Sequence, residues 1–381
     1  MKQISALLIA VVLLISCGET RQGDLATSYE QAWVVQIPEH GIHDFVVEDE
    51  SVYVTTLLGE KIYKINKSSG QVEWARSEKA FSKEIGVTFA PFVFGSDVYA
   101  MSGNKLVCLS VESGEINWEF LIDDSRLGKG FVLKPDVSSN LIVFPSNNGN
   151  LYCLDASSGR KNWETKCLQK SNDERERYTR DIYQDDIFQS VTIFGERLIA
   201  TTKSGRIEIR YLSTGNFIQS FENWVLPDDG VIFASDRLLL CEYGNSTIGP
   251  VTVALDANNR EIVWTKADHK NSDPSRKQLA VQPIVFGDAL FVAQENRVYS
   301  YSVDTGVQSG VISFAGTVND FDVSKDYVIA AVGDTLTAID FDGKLFFSFE
   351  SKYGDEILHV ACDGGMIFYQ TVSALYCAFG W

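Results

Sequence analysis

Several residues and patterns are scarce in this sequence, and each scarcity removes a class of function. Seven cysteines occur in 381 residues, none adjacent to another and none in a C-x-x-C pair, which argues against a disulfide framework or a cysteine-based metal site. The four histidines, His40, His43, His269 and His359, are scattered apart from the first two, so they read as structural rather than as a metal cluster or a catalytic base. Basic residues number 33 against 51 acidic ones, a formal net charge of −18; such a chain repels phosphate backbones, and no nucleic-acid partner is expected. Proline occurs only eight times and no low-complexity tract is present, so disorder is not expected beyond the ends. There is no G-x-S-x-G elbow, no glycine-rich phosphate loop and no D-x-D-x-D calcium loop. Past the N-terminus, no stretch carries the apolar period of an amphipathic helix. From these absences we expect no catalytic residue, no metal ligand and no cofactor, and therefore no enzyme.

What is present begins with a targeting pattern. Lys2 precedes an unbroken apolar run from Ala6 to Ile15, too short for a comfortable membrane span and right for a signal. The run ends in Leu14-Ile15-Ser16-Cys17, which resembles the bacterial lipobox, where a small residue precedes a cysteine that is acylated. Residues 1–16 are expected to be a lipoprotein signal peptide, Cys17 the lipidation site, and 17–30 a tether. Acyl chains contribute about 0.8 kcal/mol per buried methylene, so they hold a domain at a membrane without a spanning helix. Gly18 after the cysteine fits export to the outer membrane, on its periplasmic side.

A repeat dominates the rest. "KIYKINKSSGQVEW" ends at Trp74, "KLVCLSVESGEINW" at Trp118, "NLYCLDASSGRKNW" at Trp163 and "VTVALDANNREIVW" at Trp264. Weaker copies contain Gly215, Gly306 and Gly343, and place Gln219, Gly310 and Phe347 where the tryptophan belongs. Taking Arg260 as one glycine equivalent, the turn positions 70, 114, 159, 215, 260, 306 and 343 are separated by 44, 45, 56, 45, 46 and 37 residues. Upstream of each turn lie two more short apolar runs with period-two patterning, which predicts antiparallel hairpins.

A four-stranded unit recurring about every 45 residues is the signature of a β-propeller blade. The expected fold is all-β, an eight-bladed propeller forming a single domain over 31–381. The eighth unit stops after three strands, and Glu30–Ile37, with Trp33, supplies the missing fourth from the N-terminus, leaving no unpaired edge. Each glycine suits a positive φ at the hairpin before the outer strand. Trp33, Trp74, Trp118, Trp163 and Trp264 are expected to dock on neighbouring blades, each indole burying on the order of 150–250 Å² and its N–H reaching a backbone carbonyl. Cys108, Cys153 and Cys377 share the position of Ala254 and Ala338, and read as small buried apolar residues.

The pattern Leu154-Asp155-x-x-x-Gly159-x-x-x-Trp163 resembles the tryptophan-docking repeat of pyrroloquinoline-quinone (PQQ) type propellers. With the lipobox and no appended domain, the chain is most similar to the BamB family of outer-membrane assembly lipoproteins; "GTVNDFDV", 316–323, also reads like a segment of that family. The resemblance implies a noncatalytic scaffold, with an outer-membrane barrel-assembly subunit and unfolded barrel clients as partners. Quinoprotein dehydrogenases share the repeat, but they resemble one another in a vicinal Cys-Cys that this sequence lacks. The 56-residue step carries a charged insertion, 169–186, and an acidic stretch "LPDDG" follows at 226–230. Asp181, Asp185, Asp186, Asp228 and Asp229 are the candidate partner-binding residues, since recognition residues concentrate on loops. An exposed outer strand could also accept an added strand from a client.

Overall fold

A computed structural model describes residues 30–379 apart from 38–40, 57–60, 78–90, 103–104, 123–134, 147, 169–186, 204–205, 222–231, 234–237, 246–248, 257–261, 268–280, 282 and 352–353. Its strands form eight four-stranded antiparallel sheets, and the described residues hold no helix. In chain order the sheets span 42–77, 92–121, 136–166, 188–221, 232–267, 284–313 and 320–350, with the eighth made of 359–379 and the N-terminal strand Glu30–Gln36. The first seven are simple meanders, the blade unit of a β-propeller.

The eighth sheet joins the two ends of the chain. Its strand order runs from His359–Asp363 through Met366–Gln370 and Ala374–Phe379 to Glu30–Gln36, with Trp33 opposite Cys377 and Val35 opposite Leu375. The N-terminal strand thus completes the last sheet, as its sequence pattern implies.

Burial follows position in the meander. In sheet three the second and third strands, Leu141–Pro145 and Asn150–Asp155, are almost wholly buried and so covered on both faces. Outer strands alternate, as Val72–Ser77 and Ile116–Leu121 do between half-buried and exposed residues, the pattern of one covered and one solvated face. Contacts group the chain into two compact units. One unit takes in sheets one, seven and eight; the other runs from Phe94 to Gln294 with Val298–Val311. Each has its own core. In the first, Trp33, Val35, Phe45, Val54, Phe368 and Cys377 belong to one buried cluster. In the second, Val143, Cys153, Phe188, Leu198 and Leu212 do.

Candidate interaction surface

The residues that fasten sheets to one another have to be separated from those left free to recognise a partner. The five-residue hairpin before the outer strand of sheet three is set by its first residue. Asp155 Oδ1 accepts the Ser158 N–H at 2.9 Å and the hydroxyls of Ser157 and Ser158 at 2.7 Å, an Asx-type turn. Those hydroxyl and amide bonds hold the Asp155 carboxyl below its ordinary range. The turn closes when the glycine N–H donates back to the first residue, Gly159 to Asp155 and Gly215 to Tyr211 at 2.8 Å each. Gly159 has φ +67, a left-handed conformation that disfavours any side chain.

In four copies the glycine receives the tryptophan of the preceding copy. A Cβ added to Gly70 would stand 2.6 Å from Trp33, one on Gly159 2.5 Å from Trp118, one on Gly215 2.7 Å from Trp163, and one on Gly306 2.6 Å from Trp264. The indole N–H then donates to the carbonyl three residues before that glycine: Trp33 to Lys67 at 2.8 Å, Trp118 to Ala156 at 2.9 Å, Trp163 to Leu212 at 2.9 Å and Trp264 to Val303 at 2.7 Å. Trp74 lies opposite Lys64 in its own sheet and its ring centre is 6.2 Å from that of Tyr53.

Within the sheet, each of the four indoles that dock on a glycine has a small residue across from it. Trp118 pairs with Cys108, Trp163 with Cys153, Trp33 with Cys377 and Trp264 with Ala254. All four of those partners are fully buried. Burial pushes the Cys153 and Cys377 thiols up to about 12. Burial, helped by Asp97, does the same to Cys108. They are packing atoms, not nucleophiles.

The first strands carry a second joint that the repeat signature does not reveal. Asp136 Oδ1 accepts the N–H of Val137 at 2.8 Å, and its Oδ2 accepts that of Ile193 in the next sheet at 2.6 Å. Asp322 repeats the arrangement on Val323 and Cys362, both at 2.7 Å, and burial raises its carboxyl above the usual range. Asp320 holds Val360 N–H at 2.9 Å and lies 3.5 Å from His359. The signal was available as Asp followed by an apolar residue near the start of a first strand, in "HDF", "PDV" and "NDFDV".

Of the candidate contact residues, Asp181, Asp185, Asp186, Asp228 and Asp229 lie outside the described residues, as do Cys17, the signal and most of the tether. What is described are the stems of the charged segment 169–186. The chain leaves sheet three through Lys166, Cys167 and Leu168 and enters sheet four at Phe188. Both stems meet Glu208 and Arg210, which are 0% and 2% exposed. Arg210 Nε and Nη2 donate to Glu208 Oε2 at 2.8 and 2.6 Å. Sequence reasoning missed this pair because "RIEIRY" looks like an ordinary strand with one charged, solvated face.

Among described residues no helix is long and apolar enough to cross a membrane. Residues 23–245 match the family model described as outer membrane protein assembly factor BamB. Solved structures with the same fold include BamB from Moraxella catarrhalis, 10% identical, covering 92% of this chain and 100% of that one at a TM-score of 0.63. The computationally designed Ika8 protein is 11% identical, with 92% and 99% covered and a TM-score of 0.68. Quinohemoprotein alcohol dehydrogenase from Comamonas testosteroni is also 11% identical, with 93% of this chain and 77% of that one covered at 0.68. No curated protein matches the sequence significantly.

Proposed function

The chain belongs to the outer membrane protein assembly factor BamB family, and from that premise we propose that it is a noncatalytic scaffold, lipid-anchored through Cys17 on the periplasmic side of the outer membrane, that assists assembly of β-barrel proteins. The family match across 23–245 carries this reading. The lipobox-like Leu14–Cys17 supports the anchor, and the acidic surface supports a partner with basic groups. Segment 169–186 and Leu226–Gly230, with Asp181, Asp185, Asp186, Asp228 and Asp229, are the proposed contact points, because they fall in sequence between successive sheets, where recognition residues concentrate.

Crosslinking in intact cells followed by mass spectrometry tests the reading. Recovery of a barrel-assembly subunit, with crosslinks in 169–186, is the expected result; recovery of only unrelated proteins refutes the role and leaves the fold untouched. A rival reading, a quinone-dependent oxidoreductase, draws on the fold shared with the quinohemoprotein dehydrogenase. In this chain, however, three cysteines are taken up as buried packing beneath tryptophans. Incubation with pyrroloquinoline quinone and calcium is expected to leave no bound chromophore. A stoichiometric quinone absorbance would replace the scaffold reading with the enzyme one.

A further inference from the structure

The buried pair in sheet four bonds across to the end of sheet three, where the chain runs on into segment 169–186, as well as within its own sheet. On the outgoing stem, Arg210 Nη1 donates to Thr165 Oγ1 at 3.1 Å and Nη2 to the Lys166 carbonyl at 3.0 Å. Glu208 Oε1 accepts the Leu168 N–H at 3.1 Å and the Cys167 thiol at 3.6 Å. On the returning stem, the fully buried ring of Phe188 lies 5.5 Å from the guanidinium carbon, within cation–π range. Within sheet four the guanidinium also bonds to the Gly215 carbonyl at 2.8 Å and lies 5.9 Å from the Phe217 ring. A second cation, Arg206, lies 3.7 Å from Glu208 Oε1.

Stability does not explain why charges stand here. The copy in sheet three has Tyr152 and Leu154 at the same places, and replacing a buried ion pair by apolar residues of similar size is often neutral or stabilising. What the charges add is direction: charge-assisted bonds to named backbone groups at the point where the chain leaves the sheet.

We infer that Glu208 and Arg210 are positioning residues that fix where segment 169–186 leaves and re-enters the sheets. A consequence, which rests on the reading of that segment as partner contact, is that the pair sets how the segment meets its partner.

The test uses the full chain with Glu208→Tyr and Arg210→Leu together, installing the residues of the neighbouring copy. A second double variant, Glu208→Leu with Arg210→Met, carries the same expectation. Two measurements are made: the urea unfolding midpoint, and hydrogen exchange of the Leu168 and Lys203 amides, the latter bonded to Ile187 of the returning stem. The midpoint is expected to hold or rise, while stem exchange quickens on the order of tenfold relative to Leu198 and Ile199 in the same sheet. Unchanged stem exchange overturns the inference. So does a lowered midpoint with exchange quickened throughout the sheet, which is the result of a merely structural role. In-cell crosslinking separates the two claims: localised quickening with unaltered crosslinks upholds the stem positioning and overturns the partner reading of the segment.

Discussion

In the turn that ends at Gly159, the glycine N–H reaches back four residues to Asp155, and Trp118 covers the glycine while donating to Ala156. In the turn at Gly343 the glycine N–H reaches back only three residues, to Asp340. Among the described residues nothing lies within 4 Å of where its Cβ would stand. The carbonyl three residues before the glycine, which elsewhere receives an indole, is here occupied by the glycine itself. The preceding copy has Gly310 in place of tryptophan. Donor and acceptor are therefore missing together, and the hairpin persists as a turn without an indole.

The largest test of that difference is Trp118→Ala, which should lose about 3 kcal/mol, the low end of the range for deleting a large aromatic, because the indole is half-buried. A urea titration showing a loss under about 1 kcal/mol would mean that the indole is not holding its neighbour. Next come the glycines. Gly159→Ala combines a forced contact with the Trp118 ring and a left-handed backbone, together about 3 kcal/mol. Gly343→Ala, with φ +82 and open space, should lose only the backbone part, about 1 kcal/mol. The comparison sharpens if Gly159→Ala is repeated in the Trp118→Ala background, where its cost should fall to the Gly343 value; full additivity would separate the two residues.

Smaller still is Cys153→Ala, expected to cost about 1 kcal/mol or less because Ala254 and Ala338 serve at the same place. With their pKa values near 12, Cys108, Cys153 and Cys377 should stay unreactive toward Ellman's reagent until urea unfolds the chain. The smallest effect belongs to the aspartate joint. The hydrogen bond to Asp320 raises the His359 pKa against the opposing effect of burial, with Asp44 of the strand Ile42–Glu48 adding to the rise. A raised folded pKa means that the stabilisation is complete below the ordinary histidine value and is lost as pH climbs through the raised one. The side chain is 45% exposed, so solvent screens the pair. His359→Gln should flatten this shallow dependence, whereas removal of an indole joint should leave it intact.

The tryptophan joints were legible because their signal is local: a turn residue, a glycine and an aromatic at fixed spacing, repeated. Completion of the eighth sheet was legible from a missing strand at one end and a spare strand at the other. Glu208 and Arg210 were not, because alternation shows only which residues share a face of a strand. Whether that face meets water or another strand depends on Lys166 and Leu168, some forty residues away in sequence. The lack of an indole at the Gly343 turn was half legible. Gly310 announced the missing donor, but the occupied acceptor required the hydrogen bonds themselves.

Pairing Trp33 with Cys377 also imposes an order on how the molecule is made. A chain synthesised or threaded from its N-terminus presents Glu30–Gln36 first and its partner strand Ala374–Phe379 last. All the intervening sheets can find their neighbours while that first strand still waits, because their contacts are nearer in sequence and their loops less costly to close. The final sheet is then a latch that can shut only when the last strand has arrived, and Lys67, bonded to both Asp49 and Asp363, stands at the seam where it shuts.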